Sequence, residues 1–140
     1  MELRWESRDA LRVASLLAAV GLSVAVAMAV AGLPPIDFHG PLHHMGIMDP
    51  LCGGTRAARL TLRGELAEAW KYNPLGILAA TTALLGVGRL FIGVSTRRWL
   101  NVRVMWTSAR RTIAIDVIAA LLIVLEIRQQ GRSELLMRRY

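Results

Sequence analysis

Cysteine occurs once in the 140 residues, at Cys52, so no internal disulfide braces the chain. No segment repeats another, and no low-complexity stretch marks a linker. Aromatic residues make up 6% of the chain and are not interleaved with its arginines. A formal charge of +7 and an isoelectric point near 11.2 therefore do not add up to a nucleic-acid surface. The arginines sit at the ends of apolar runs and in short loops, where membrane proteins hold them against anionic headgroups. The absence that says most is local: from Val13 to Leu33 there is no charge at all.

What is present fits that absence. Hydrophobic residues are 54% of the chain although 19% is charged, because grease and charge occupy different stretches. Residues 13–33 are about the ~20 residues needed to cross the hydrocarbon core as a helix. Helix is what lipid selects, since each backbone polar group there needs an internal partner. A second apolar run covers 74–94, with Pro74 in the first turn and Arg89 near its end. A third, 111–128, is shorter and carries Asp116, and Arg111 and Arg128 bracket it and extend its span by snorkelling. Trp5, Trp70, Tyr72, Trp99 and Trp106 lie outside all three runs, as rings at headgroup depth do. The expectation is an all-α integral membrane protein, a single domain over 1–140 with about three spans and a short interfacial or re-entrant motif helix. Ala29-Val30-Ala31 resembles a signal-cleavage site. The run before it outlasts a signal core of ~7–15 residues and its flank is not clearly basic, which favours a retained anchor.

Arginine counts on the two sides of such a bundle balance. The loop from Thr96 to Thr112 has five arginines and no acid, which places it and the N-terminus on the cytoplasmic side. The first helix offers small-residue ladders, Ser15-Ala19-Ser23-Ala27-Ala31 and Gly21-Ala25-Ala29, that let another backbone approach closely. Gly76 and Ala80 present a matching surface on the second helix. Asp116 and Arg89 are costly in lipid, and their opposite charges make them candidate partners.

Residues 34–73 form a polar hinge and motif helix. Pro34-Pro35 ends the first span. His43, His44, Asp49 and Cys52 then bring imidazole, carboxylate and thiol together, donors suited to copper or zinc, although their spacing matches no standard zinc pattern. In the run Leu51-Cys52-Gly53-Gly54-Thr55-Arg56 the glycines expose backbone N–H groups. Thr55 reads as the N-cap of a helix running to about Tyr72. Arg56, Arg59 and Arg63 recur at helical spacing as a stripe for a phosphate or carboxylate. N–H groups and Arg56 beside Cys52 are expected to lower its thiol pKa. Asn73 caps the second span before Pro74.

The ordered series Pro50, Cys52-Gly53-Gly54-Thr55-Arg56-Ala57, Leu62-Arg63-Gly64-Glu65, Ala69 and Asn73-Pro74-Leu75 resembles a family of small bacterial membrane proteins. It is similar to the domain-of-unknown-function 2752 family, over roughly 41–84. The resemblance implies a multi-helix protein of the bacterial cytoplasmic membrane and brings no established activity. The family's pattern has a cysteine where this chain has Asp49, which removes a dithiol couple and leaves an oxygen donor.

Three readings follow. In the first, a non-enzymatic structural or accessory subunit packs with a membrane-protein partner or a second copy in the bilayer. In the second, the His/Asp/Cys hinge holds a metal or handles a metallocofactor. In the third, a lipid-directed enzyme uses Cys52 as nucleophile with His43 or His44 as base; no third group to orient that base is identifiable.

Overall fold

The computed structural model describes residues 2–32, 47–103 and 105–137. In chain order the elements are β1 (Glu2–Glu6), α1 (Arg12–Ala31), α2 (Gly54–Leu62), α3 (Leu66–Tyr72), α4 (Pro74–Thr96), β2 (Trp99–Arg103), α5 (Ser108–Gln130) and α6 (Ser133–Met137).

Two helices, α1 and α4, are long and apolar enough to cross a membrane. They pack antiparallel. Ser15, early in α1, meets Arg89 late in α4, and Ala18 lies so close to Gly86 that a Cβ there would come within 2.6 Å of its methyl. Only part of the small-residue surface of α1 serves this contact. Ser15 and Ala25 are buried and Ala18 is half-buried, whereas Gly21, Ser23, Ala27 and Ala31 face outward.

Gly76 does not pair with α1 as a matching surface would. A Cβ on it would sit 2.4 Å from the Gly54 carbonyl oxygen and 2.6 Å from the Ala57 methyl. Only glycine lets α4 lie this close to α2. The motif helix is also not one helix. It breaks at Arg63-Gly64-Glu65 into α2 and α3, with Gly64 at a φ of 80°.

The sequence showed no strand, yet β1 and β2 form an antiparallel ribbon in the register Glu2 to Arg103 through Glu6 to Trp99. Arg89 holds it to the helices. The guanidinium pairs with Asp9 at 2.7 Å and donates to Ser15 Oγ at 2.7 Å, Asn101 Oδ1 at 2.8 Å and the Leu100 carbonyl at 2.7 Å. It also stands 5.6 Å from the Trp99 ring centroid. Asn101, fully buried, donates to Glu6 and to the Arg8 carbonyl. The pairing of Arg89 with Asp116 is thereby corrected. Asp9 lies just before the start of α1, where its carboxylate accepts from Ser15 Oγ at 3.2 Å and the α4 guanidinium reaches it, and Asp116 is on exposed α5 surface.

The far end of the molecule is different. α5 begins five residues after β2 and ends beside α3, where Arg128 stacks on Trp70 and Arg132 donates to the Lys71 carbonyl. Its 23 residues rise about 34 Å. Of these only Leu125 and Gln129 are buried.

The side chains of Arg89 and Asp9 are 16% and 11% exposed, so removing one leaves the other largely shielded. Arg89→Leu is expected to cost about 2–3 kcal/mol and to release β1, read as faster hydrogen exchange at Leu3 and Trp5. The hydrogen bond from Arg89 holds the Asp9 carboxyl below its ordinary 3.8. Its contribution is therefore full above pH 3.8 and fades as pH falls below that toward the folded value. Protection of β1 should drop over that acid window in the wild type and not in Asp9→Asn, which lacks it throughout.

Candidate functional site

The hinge is built by a tight turn ahead of α2. Cys52 N donates to the Asp49 carbonyl at 3.1 Å, and Gly54 N donates to the Leu51 carbonyl at 2.9 Å. Asp49 Oδ1 accepts from Leu51 N at 2.7 Å and fixes the turn from its side-chain end. Gly53 closes it with a φ of 75°, a left-handed angle that a side chain would strain. A Cβ there would also lie 2.7 Å from Leu136 of α6. Met48, Cys52 and Leu136 form a small buried core with Tyr72 against it.

Two side-chain amides clasp this turn. Asn73 Nδ2 donates to the Pro50 carbonyl at 2.9 Å and to the Cys52 carbonyl at 2.8 Å. Its Oδ1 accepts from Leu75 N at 2.8 Å, so one side chain both caps α4 and ties it to the turn. Gln129 Nε2 donates to the Cys52 and Tyr72 carbonyls, each at 2.9 Å. Gln130 Oε1 accepts from Met48 N at 3.0 Å. Asn73 and Gln129 are fully buried, and each satisfies backbone carbonyls that water cannot reach. The Cys52 carbonyl is thus the meeting point of the turn, α4 and α5. Nothing in the local sequence announces Gln129, which lies 77 positions from Cys52.

Thr55 is not the cap. Gly53 occupies the N-cap of α2 without a side-chain hydrogen bond, and Thr55 is exposed within the first turn. The arginine stripe is divided. Arg56 lies over the Tyr72 ring at 5.7 Å, and Arg63 pairs with Glu65 at 2.9 Å. Arg59 Nε is buried with no hydrogen-bond partner among the described residues.

Cys52 is 3% exposed, and burial pushes its thiol above the ordinary range. The Asp49 carboxylate works in the same direction, its Oδ2 accepting from Sγ at 3.4 Å. The expected lowering by helix-start N–H groups and Arg56 is overturned, because desolvation outweighs them and the nearest charge is negative. A shielded thiol in this state is a poor nucleophile, which counts against the lipid-directed enzyme.

Asp49 and Cys52 do come together. His43 and His44 lie outside the described residues. Among the described residues no three His, Cys, Asp or Glu side chains converge.

Residues 41–87 match the model of the family described as protein of unknown function, DUF2752. The matched stretch runs from before the turn through α2 and α3 into the second half of α4. The chain carries the DUF2752 segment over about a third of its length, with Pro50, Cys52, Gly53, Gly54, Thr55, Arg56, Gly64, Asn73 and Pro74 all inside it. No curated protein and no solved structure matches the chain.

Gln129→Ala removes two donors from buried carbonyls and is expected to cost about 2 kcal/mol. Freed of that clasp, Cys52 should alkylate more than about tenfold faster at neutral pH. In the wild type, labelling should stay slow at neutral pH and climb only beyond the alkaline range of an ordinary cysteine. Equal alkylation rates in both proteins would show that α5 does not shield the thiol.

Proposed function

We propose that the chain is a multi-pass protein of the bacterial cytoplasmic membrane, a structural or accessory subunit that packs with a membrane partner or a second copy. One observation carries the membrane reading. In the most apolar 18-residue stretch of α1 and of α4, only 11% of residues are buried. A core helix of a soluble protein hides such a surface. Leu16, Leu17 and Val20 on α1, and Leu85, Phe91 and Val94 on α4, instead stand open.

Further features support it. Trp5, Trp99 and Trp106 gather at one end and Trp70 and Tyr72 at the other, as interfacial belts do. If α1 and α4 cross, α5 crosses as well, because it starts at the ribbon end and finishes against the hinge. Its charges, Arg110, Arg111, Asp116, Glu126 and Arg128, make it less apolar than the other two. The N-terminus and the arginine-rich loop share the ribbon end, and this end is the cytoplasmic one.

Cysteines placed at exposed Thr55 and Thr107, each in a Cys52→Ser background, test the arrangement in intact cells. An impermeant thiol reagent should modify the Thr55→Cys variant and spare Thr107→Cys. The opposite pattern would invert the orientation. Extraction of the chain from membranes by alkaline carbonate would overturn the membrane reading.

A second reading keeps the hinge as a metal or metallocofactor site. It is favoured by the 3.4 Å approach of Cys52 Sγ to Asp49 Oδ2, with His43 and His44 a few residues upstream. Purified protein supplemented with copper or zinc should then retain one equivalent, lost in Cys52→Ser. No retained metal in the wild type would remove this reading.

A further inference from the structure

α5 differs from the other long helices in how little of it the described residues cover. Its two buried residues, Leu125 and Gln129, fall in the last two turns. From Ile113 to Val124 every residue except Ala114 is exposed. Within that uncovered stretch stands Asp116, and no hydrogen bond or ion pair reaches its carboxylate among the described residues.

The direction in which Asp116 points follows from helix geometry. Leu125 is nine residues away, and at about 100° per residue nine steps bring the helix to the opposite side. Leu125 faces the bundle, so Asp116 faces away from it. Glu126 does not offer relief, being an acid itself, and Arg89, the cation of the neighbouring span, is committed to Asp9. The nearest arginines on α5, Arg110 and Arg111, are six and five positions before Asp116 and, among the described residues, make no ion pair with it. In a bilayer, then, a carboxylate would project from α5 into hydrocarbon, which an unpaired charge does not tolerate without a partner.

The residues around it are suited to a close neighbour rather than to lipid. Thr112 and Ala120 lie four positions to either side of Asp116 and Ala119 three beyond it, so three of its four nearest neighbours on the helix face are small, Ile113 being the fourth. Such small neighbours let a second backbone approach within reach of a short aspartate side chain. A second copy of this chain would bring carboxylate against carboxylate if α5 packed on α5 about a two-fold axis, and like charges at that distance repel.

We infer that the Asp116 face of α5 docks a membrane helix of another protein that presents a lysine or arginine at the same depth. The inference rests on the reading of α5 as a membrane span and names the chemistry of the partner. Truncating one member of such a pair in low dielectric leaves the other uncompensated, so the acid governs whether the helices stay together.

The test uses the full chain in the membranes of its own organism, with a photo-crosslinking amino acid replacing Ala120 and, as control, Leu121. Irradiation should yield a discrete adduct from position 120 and far less from 121. The adducted peptide, mapped by mass spectrometry, should carry Lys or Arg within an apolar run. Asp116→Asn should reduce the adduct at least about tenfold, Asp116→Glu should retain it, and the membrane content of the chain should be unchanged in both. Adducts with lipid alone, with a second copy, or with a peptide lacking a basic side chain would each overturn the inference. So would an undiminished adduct in Asp116→Asn. Each of these outcomes leaves the membrane reading intact. Loss of the chain to carbonate extraction would instead defeat that reading itself.

Discussion

A guanidinium seven residues from the end of an apolar helix must find acceptors for its N–H groups, and one end of this molecule is organised around that constraint. Arg89 has five N–H donors in a planar fork, and the structure supplies acceptors to match: Asp9, Ser15, Asn101 and the Leu100 carbonyl. Those acceptors come from the segment before α1, from α1 itself and from β2. Satisfying one side chain therefore fixes the angle of α1 on α4 and folds the ribbon over their ends. The ribbon by itself has two strands and no core, which is marginal in isolation. Its attachment through Asn101, Arg89 and Trp99 is what makes it part of the fold.

The hinge end solves the same problem with neutral amides. A turn that places backbone carbonyls under a helix must find donors for them, and Asn73 and Gln129 each give two hydrogen bonds from one nitrogen. Asn73 does this while capping α4, so the start of that helix and the position of the turn are set together. Cys52 is at the centre because its carbonyl is the shared acceptor. Its sulfur is shielded as a consequence, which separates the structural importance of this residue from the reactivity that a lone cysteine suggests.

The two long apolar helices were legible because they depend on local composition. A charge-free run from Val13 and a proline-initiated run from Pro74 give α1 and α4 to within a few residues, and the Asn73 cap is visible in the same dipeptide. The ribbon was not legible: Glu2–Glu6 alternates acids and an arginine with Leu3 and Trp5, and its pairing depends on a segment about a hundred residues away. Distance in sequence also hid Arg89 with Asp9 and Cys52 with Gln129. The motif showed its turn but not its chemistry. Gly53 read correctly as permissive backbone, whereas Gly54 is an ordinary helical residue, and the inferred thiol activation failed because Leu136 and Gln129, which bury the turn, come from the far end of the chain. Thr55 illustrates a narrower point. A hydroxyl two residues past a left-handed glycine is already inside the helix, and the cap position falls to the glycine.

The two ends, once fixed, determine the middle. α4 carries the chain from the hinge to the ribbon, and the amide clasp requires Gln129 to be back at the hinge, so the residues between β2 and Gln129 must return over the full length of α4. A helix does this most economically, and α5 has the same 23 residues as α4. The requirement acts on the ends of α5 alone. Its N-terminus follows β2, its C-terminus is held by Arg128, Gln129, Gln130 and Arg132, and nothing among the described residues draws its middle against α1 or α4. A helix placed by its ends is free on its flanks, and it is on such a flank that an acid such as Asp116 can be kept for something other than the fold.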